Sequence, residues 1–243
     1  MHGTLHTMNL KYKRLLVKLS GEQLAGEHEG GVDPKLIGWI ATEIKKATDV
    51  GAEIVIIVGG GNYARGNQIM GNGIRPTTAH NVGMLATVLN GLVLGDIFNA
   101  HGVETSVLSN IVAEQVVDNY TYRRAEHHLA KGRVLVIAGG IGRPFFSTDT
   151  GAVNLALELG CDVVCKTTKV DGVYDRDPAK FSDATKIDTM SFQQAVEDEH
   201  IKVMDKAALG LAMEENKPIM VFSLAEDNIR QAALGESVGT LIS

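Results

Sequence analysis

Residues Ile54–Gly66 read IVIIVGGGNYARG, an apolar run that leads directly into three consecutive glycines. Because the apolar part does not alternate with polar residues, it predicts a β-strand that is covered on both faces. The glycines leave the backbone free of side chains, so that its N–H groups can approach a negatively charged ligand. Arg65 follows shortly afterwards and adds a guanidinium. The stretch therefore predicts a buried strand that ends in an anion-binding loop.

The same strand pattern recurs along the chain, with amphipathic segments between the strands. Asp33 and Pro34 are typical of an N-cap and a first helical position, and they predict the start of a helix. Alternation of strands and helices predicts an α/β fold with a mostly parallel sheet and helices on both faces. The predicted strands are Arg14–Ser20, Ala52–Gly59, Glu104–Ser109, Arg133–Gly139, Asp162–Thr167 and Gly239–Ile242, and later helices are predicted at about Ser191–Asp198 and Asp205–Glu215.

The segment Val82–Phe98, VGMLATVLNGLVLGDIF, is apolar on almost every side. A helix with that composition has to be buried, either in the core of its own domain or against another subunit. An exposed patch of this size is large for a monomer, which favours the subunit interface. The sequence leaves both interpretations open.

Composition argues against several classes of protein. The chain has 243 residues, of which 44% are apolar, and a formal net charge of −6. The length suits one domain, predicted at residues 11–243 after a disordered tail at residues 1–10. The negative charge argues against nucleic-acid binding, and no apolar run predicts a membrane span or a signal peptide. We therefore expect a cytoplasmic protein with no nucleic-acid or membrane partner. Cys161 and Cys165 are predicted to be small buried hydrophobic residues rather than metal ligands.

Three of the predicted strands end in glycine-containing loops, which read KLSGE at 18–22, GGGN at 59–62 and GGIGRPFFSTD at 139–149. In an open α/β sheet, ligands bind beyond the carboxyl ends of the strands. Lys18, Arg65 and Arg143 place a cation beside each loop. Three such loops at one sheet edge predict a polyphosphate site, or a site where two phosphates exchange a group.

The common phosphate-binding motifs are absent from the sequence. No Gly-Lys dipeptide occurs, so the P-loop motif fails, and the dinucleotide fingerprint fails at Ala64 and at Phe145. A nicotinamide-dependent oxidoreductase is therefore disfavoured. Neither H-E-x-x-H nor G-x-S-x-G occurs, which leaves the zinc-protease and serine-hydrolase classes without support.

Seven blocks of sequence resemble the amino acid kinase family, and within it the bacterial uridylate kinases, from about Tyr12 to Ile242. The resemblance implies a single domain built as a three-layer α/β/α sandwich with a mostly parallel central sheet, assembled as a homohexamer. It also implies transfer of the γ-phosphoryl group of Mg-ATP to UMP, which gives UDP and ADP for pyrimidine nucleotide synthesis. The blocks are YKRLLVKLSGE, VGGGNYARG, GMLATVLNGL, PFFSTDTGA, KTTKVDGVYDRDP, IKVMDKAA and GTLI.

The resemblance also implies a set of site residues. Asp149 is predicted both to cap the helix that it opens and to organise the reactive centre. Magnesium is expected to bind through ATP oxygens and water, with no protein ligand. The implied catalytic residues are Lys18, Arg65 and Asp149. The implied ATP-binding residues are Lys18, Leu19, Ser20, Gly21, Gly61, Arg65, Thr168, Tyr174 and Asp177. The implied UMP-binding residues are Gly60, His80, Ile141, Gly142, Arg143, Pro144, Phe145, Phe146, Ser147 and Thr148.

The chain departs from the uridylate kinase pattern at His80, where the family carries an aspartate that accepts hydrogen bonds from the UMP ribose. A neutral imidazole has one acceptor where a carboxylate has about four lone-pair sites. We therefore expect weaker UMP binding, restored in part by His80→Asp.

Regulation is a second point of departure. A uridine site with room for further phosphates implies inhibition by UTP. Activation by GTP, which many family members show through basic residues between subunits, is not expected, because Gly95, Asn99 and Ser106 stand at the matching positions and only Arg133 remains.

Two alternatives stay open at this stage. One is another kinase of the family that acts on a carboxylate substrate. The other is a non-catalytic ATP-binding protein similar to the molybdenum storage proteins, although the chain has no histidine-rich lining.

Overall fold

The computed structural model describes residues 9–64, 69, 73–198 and 203–243. Its strands are β1 (Arg14–Leu19), β2 (Glu53–Val58), β3 (Thr105–Ser109), β4 (Asp118–Asn119), β5 (Val134–Ala138), β6 (Val163–Thr168), β7 (Val173–Tyr174), β8 (Lys186–Ile187), β9 (Thr189–Met190), β10 (Ile219–Ser223) and β11 (Thr240–Ile242). Its helices are α1 (Gly21–Leu24), α2 (Pro34–Asp49), α3 (Pro76–Ala100), α4 (Tyr122–Leu129), α5 (Thr148–Glu158), α6 (Phe192–Glu197), α7 (Lys206–Glu214) and α8 (Asn228–Leu234).

Within these residues, nine strands form one sheet in the order β4-β3-β5-β2-β1-β6-β10-β11-β9. Neighbouring strands run parallel except for β10 and β11, which are antiparallel. The remaining strands, β7 and β8, form a small antiparallel pair outside this sheet. The prediction of a mostly parallel α/β sheet is confirmed.

The two faces of the sheet bury two separate hydrophobic clusters. Leu16 of β1 points to one face, where α4, α5, α6 and α7 pack. Leu15 and Val17 point to the other face, where α2, α3 and α8 pack. Successive side chains of a strand alternate between faces, so a strand that is covered on both sides needs a continuous apolar run. The apolar sequence of β1 and β2 therefore follows from their place at the centre of a three-layer fold.

The strand predictions hold to within one or two residues at each end, but β10 was missed. Its sequence, IMVFS, is a short apolar run after Pro218, and it lies between β6 and β11 in the sheet. The signal was the same as for the other buried strands, since a short apolar run after a proline is typical of one.

The predicted apolar helix is confirmed as α3 and begins earlier than expected, with Pro76 at its first position. By length and mean hydropathy it is the one helix among the described residues that could cross a membrane. Its Leu94 and Phe98 are nevertheless fully buried against the sheet, as in the core helix of a globular domain. Leu85 and Leu89, on its outer side, are 51% and 49% exposed.

Cys161 and Cys165 are free thiols with no exposed surface, as predicted. Burial raises the pKa of the Cys161 thiol to about 12, so this side chain stays a neutral thiol. Of the predicted tail, residues 1–8 lie outside the described part of the chain, while Leu10 packs against the core.

Candidate functional site

The loops after β1 and β2 lie in direct contact at the carboxyl edge of the sheet. The Gly59 N–H donates to the carbonyl oxygen of Leu19 over 2.9 Å. A Cβ added to Gly21 would lie 2.7 Å from the Gly59 carbonyl oxygen and 2.4 Å from Oδ1 of Asn62. No side chain fits at such distances, so glycine at position 21 is what allows the two loops to meet.

The three consecutive glycines have different neighbours. A Cβ on Gly60 would lie 2.6 Å from the carbonyl oxygen of Gly83 in α3, and one on Gly59 would lie 3.2 Å from the Gly21 nitrogen. Packing of the chain against itself therefore requires glycine at position 60 and favours it at position 59, whatever the ligand. The nearest neighbour of a Cβ on Gly61 is Glu22, at 3.4 Å, an ordinary contact distance. Among the three, Gly61 is left as the position where a ligand could explain the missing side chain.

Two lysines and one aspartate form a charged cluster at this edge. Lys18 of β1 and Lys166 of β6 are direct partners in the parallel ladder. Asp149 lies between them, with Oδ1 at 3.2 Å from Lys18 Nζ and Oδ2 at 2.7 Å from Lys166 Nζ. The three side chains are only 12%, 15% and 15% exposed, in the order Lys18, Asp149, Lys166. The cluster carries one more positive than negative charge, so it favours an anion.

Lys166 was missed by sequence reasoning, although its setting matches that of Lys18. Both lysines interrupt an apolar strand, LLVKLS in one case and VVCKTT in the other. Burial lowers the pKa of Lys166, Asp149 acts in the opposite direction, and Lys18 lowers the pKa further. Lys166 also donates a hydrogen bond to the backbone carbonyl oxygen of Val203. A buried lysine in an apolar strand was the signal that would have identified it.

Asp149 is not the N-cap that the sequence suggested. The cap of α5 is Ser147, whose Oγ accepts from the Thr150 N–H at 3.0 Å. Asp149 is the second residue of the helix, and its side chain is free to turn towards the lysines. Its Oδ1 makes no hydrogen bond within the described residues, because the Lys18 contact is an ion pair without hydrogen-bond alignment.

Asp205 connects the starts of two helices. It caps α7 by accepting from the N–H groups of Ala207 and Ala208, each at 3.1 Å. It also accepts from the hydroxyls of Ser147 and Thr150 at the start of α5. Burial raises the pKa of Asp205, but these hydroxyl and backbone donors outweigh burial and leave the pKa below its usual range. Asp205 therefore stays ionised and holds two positive helix N-termini at the site.

One pocket, of about 370 Å³, lies beside Lys166. Three predicted ATP-side residues, Thr168, Tyr174 and Asp177, line it together. The Tyr174 hydroxyl donates to Oδ1 of Asp171 over 2.7 Å. This places a ring next to an apolar wall that includes Val221, a setting suited to a flat heterocycle.

Of the other predicted ATP-side residues, Leu19 is fully buried in the core, so only its backbone could reach a ligand. Ser20 caps α1 with its side chain. Gly21 and Gly61 line the meeting point of the two loops. Arg65 lies outside the described residues.

A second pocket, of about 160 Å³, lies between α3 and the start of α5, where Thr148, the neighbour of Asp149, lines it. Its lining brings together seven of the predicted residues, which are Gly60, Gly61, His80, Arg143, Phe146, Ser147 and Thr148.

The other predicted residues of this side lie around the pocket rather than among its lining residues. Phe145 packs its ring 4.7 Å from that of His80 and holds a left-handed backbone with φ 70°. Gly142 is also left-handed, with φ +71°, and a Cβ there would lie 2.8 Å from the Asn110 carbonyl oxygen. A turn therefore requires this glycine. Ile141 and Pro144 complete that turn.

A larger cavity, of about 450 Å³, lies beside α1. Its lining includes Glu22, His28, Glu29 and Lys169. Gly61 also lines this cavity. The cavity's two carboxylates disfavour phosphate groups there, so the charged cluster is the stronger candidate for the anion site. Among the described residues, no three His, Cys, Asp or Glu side chains are grouped as metal ligands.

Residues 13–223 match the amino acid kinase family, and the chain belongs to that family. It is similar to the solved structure of a UMP kinase from Bacillus anthracis, with a TM-score of 0.90 and 37% identity over 96% of each chain. A UMP kinase from Ureaplasma parvum matches with a TM-score of 0.87 and 31% identity, over 95% of this chain and 98% of that one. A uridylate kinase from Archaeoglobus fulgidus matches with a TM-score of 0.74 and 28% identity, over 94% and 99%. The family resemblance read from the sequence is confirmed.

Proposed function

We propose that this chain is a UMP kinase that transfers the γ-phosphoryl group of Mg-ATP to UMP, giving UDP and ADP. The observation that carries the proposal is the cluster of Lys18, Asp149 and Lys166 between two pockets. Lys166 lines the pocket of the predicted ATP residues, and Thr148, next to Asp149, lines the pocket of the predicted UMP residues. Similarity to three proteins described as UMP or uridylate kinases supports the same substrate.

Phosphoryl transfer needs little covalent work from the protein and depends on positioning and charge neutralisation. Lys18 and Lys166 would meet the oxygens of the transferring group with two ammonium groups held in register on adjacent strands. Asp149 keeps the two like charges close, since it pairs with both. The first turn of α5 adds backbone N–H groups at the positive end of the helix. Each of these groups is in place before the reaction, so it stabilises charge without reorganisation.

Magnesium fits this arrangement as an ion brought with ATP. Within the described residues, Asp149 Oδ1 makes no hydrogen bond but is ion-paired with Lys18 Nζ over 3.2 Å, so the ion would be held by ATP oxygens and water rather than by this carboxylate. When bound, the ion supplies further neutralisation of phosphate charge.

The UMP side depends on His80, Arg143 and Thr148, which line one pocket. Arg143 supplies a forked donor suited to a phosphate. His80 offers the ribose a single acceptor, so we expect this chain to bind UMP less tightly than relatives with a carboxylate at that position.

The decisive test is ADP release from Mg-ATP with UMP, CMP, AMP, aspartate and acetylglutamate offered as separate acceptors. We expect turnover with UMP and loss of that turnover in Lys18→Ala. Turnover with an amino acid instead would assign the chain to the carboxylate kinases of the family. Tight ATP binding without turnover of any acceptor would favour an ATP-binding storage role.

The same proposal extends to the effects of UTP and GTP on activity and to the assembly of subunits. UTP would inhibit by placing its uridine in the UMP pocket. GTP would not activate, because Gly95, Asn99 and Ser106 place no cation at the positions where many family members carry basic residues. The exposed Leu85 and Leu89 of α3 form the surface that we assign to subunit contacts in a cytoplasmic homohexamer.

A further inference from the structure

The strands β1 and β6 part at the proposed reaction centre. Their ladder runs from Leu15 and Val163 to its last pair, Lys18 and Lys166. Beyond that pair β6 continues against β10, with Thr168 opposite Ser223, whereas β1 turns into α1. No ladder hydrogen bond therefore fixes the loop after β1 to the end of β6.

Two side chains span this gap, Gln23 from the loop after β1 and Thr167 from β6. Nε2 of Gln23 donates to the Thr168 carbonyl oxygen over 3.2 Å. Oε1 of Gln23 accepts from the Ser20 N–H over 3.1 Å and lies 3.0 Å from the Thr167 hydroxyl oxygen. That hydroxyl is also 2.9 Å from the Lys18 carbonyl oxygen. The Thr167 hydroxyl thus joins the end of β1 to β6, and the Gln23 amide extends that link from the Ser20 loop to Thr168.

The identity of the side chain matters, because Ser20 and Gln23 form a capping box. Glutamate serves a capping box as well as glutamine does, since both reach back to the N-cap N–H. Only glutamine can also donate to a carbonyl oxygen. The bond to Thr168 is therefore an addition that the cap itself does not need.

We propose that Gln23 is a positioning residue that sets the distance between the loop at Ser20 and Gly21 and the pocket at Thr168. The inference rests on the function proposed above, in which the loop contacts the phosphates of ATP and the pocket contacts its nucleoside. Loss of the bridge would let the two contact regions move apart. Binding of ATP would then weaken, while the UMP pocket would keep its shape.

The chain offers a matched control in the capping box of α6. There Ser191 N–H donates to Gln194 Oε1 over 2.9 Å, and Gln194 N–H donates to Ser191 Oγ over 3.1 Å. Gln194 is exposed and lies outside both pockets. The test compares Q23L and Q23E with Q194L and Q194E by melting temperature, kcat, and the KM for ATP and for UMP.

Q23L and Q23E are both expected to raise the KM for ATP about five- to tenfold, the effect of one or two lost hydrogen bonds. The KM for UMP should stay within about twofold, and the Gln194 variants should shift the melting temperature alone. Glutamate also adds a negative charge near the phosphates, so the ATP KM of Q23E is compared with that of wild type at about 0.05 M and at about 0.5 M salt. The higher salt concentration screens charge repulsion but does not replace a missing hydrogen-bonded bridge. The proposal would be overturned if the ATP KM of Q23E equals that of wild type, or if the ratio of the Q23E value to the wild-type value falls to one at high salt.

Failure of the Gln23 proposal can be distinguished from failure of the proposed function. If wild type binds ATP but does not phosphorylate UMP, the proposed function fails, and the Kd of each variant for ATP, from nucleotide titration, still decides the role of Gln23. An unchanged Kd in both Gln23 variants refutes it. If wild type does not bind ATP, both proposals fail.

Discussion

The strand β1 carries a buried cation at each end, and the two are paired in opposite ways. At the amino end, Arg14 donates from Nε to Glu53 over 2.7 Å and from Nη1 to Glu126 over 2.8 Å. Two carboxylates there surround one guanidinium. At the carboxyl end, Lys18 shares a single carboxylate, Asp149, with Lys166.

In the proposed function, the difference separates an ion cluster that serves the fold from one that binds a phosphate. The Arg14 cluster is complete without a ligand, because its donors also reach the Leu159 carbonyl oxygen. The lysine cluster retains excess positive charge and an aspartate oxygen without a hydrogen bond in the described residues. Two like charges held close together repel each other in the free protein, and in the proposed function an anion would relieve that repulsion.

Removing a lysine should have the largest effect on activity. Lys166→Ala is expected to lower kcat/KM about a thousandfold, as for the loss of a preorganised charge at a transition state. The melting temperature should stay equal or rise, because a like charge is removed from the cluster. Steady-state kinetics and thermal unfolding of the same preparation check both results. A folded variant with kcat/KM within tenfold of wild type would assign Lys166 a structural role.

Removing the shared carboxylate tests the electrostatics of the same cluster. Asp149 raises the pKa of Lys166 against the effects of burial and of Lys18, so Asp149→Asn should lower that pKa further. Lysine is charged below its pKa, and the alkaline decline of kcat/KM should therefore begin at lower pH than in wild type. We also expect a loss of activity of about a hundredfold at neutral pH.

A double variant controls this experiment. Arginine stays protonated throughout the accessible range, so Asp149→Asn combined with Lys166→Arg should move the alkaline decline back to higher pH. Superimposable pH profiles for wild type and Asp149→Asn would show that the aspartate does not govern the charge of Lys166.

At the amino end of β1, replacing the cation should change the stability of the protein but not its activity. Arg14→Met leaves Glu53 and Glu126 without their shared partner, and the free energy of unfolding should fall by about 2–3 kcal/mol, less than for a fully buried pair. The kcat/KM per folded molecule should not change, since Arg14 lies at the opposite edge of the sheet. Denaturant unfolding together with kinetics measures both quantities. Lost activity in a fully folded Arg14→Met sample would contradict the contrast drawn here.

The smallest expected effect concerns the acceptor pocket. His80→Asp restores carboxylate oxygens near the ribose and should lower the KM for UMP about threefold, the equivalent of one modest hydrogen bond. The KM for ATP should not change. An unchanged or higher KM for UMP would show that His80, whose ring packs at a tilt against that of Phe145, already meets the ribose adequately.

The layout of the sheet could be predicted from the sequence because buried parallel strands leave long apolar runs. Strands of two residues, such as β4 and β9, leave no such pattern and were not predicted. The three glycine loops were also foreseeable, because their strands end in glycine on one side of a parallel sheet.

Contacts between distant segments could not be predicted in the same way. Ser147 and Asp205 are far apart in the chain and meet only because α5 and α7 pack on the same face. The sequence alone does not decide which residue is the N-cap of α5, because Ser147, Thr148 and Asp149 are all of types that can cap a helix. Lys166, by contrast, was visible in the sequence and was overlooked.

The pairing of Lys18 with Lys166 on adjacent central strands has a consequence for how enzymes of this architecture diversify. Their separation is fixed by the spacing of neighbouring strands, whereas His80 and Arg143 come from a helix and a loop at the periphery. In the proposed function, changes in the periphery could therefore select a new acceptor without disturbing the lysines assigned to the transferred group. In evolutionary terms, the proposed donor residues would be inherited with the sheet, and the choice of acceptor would be open to variation around it.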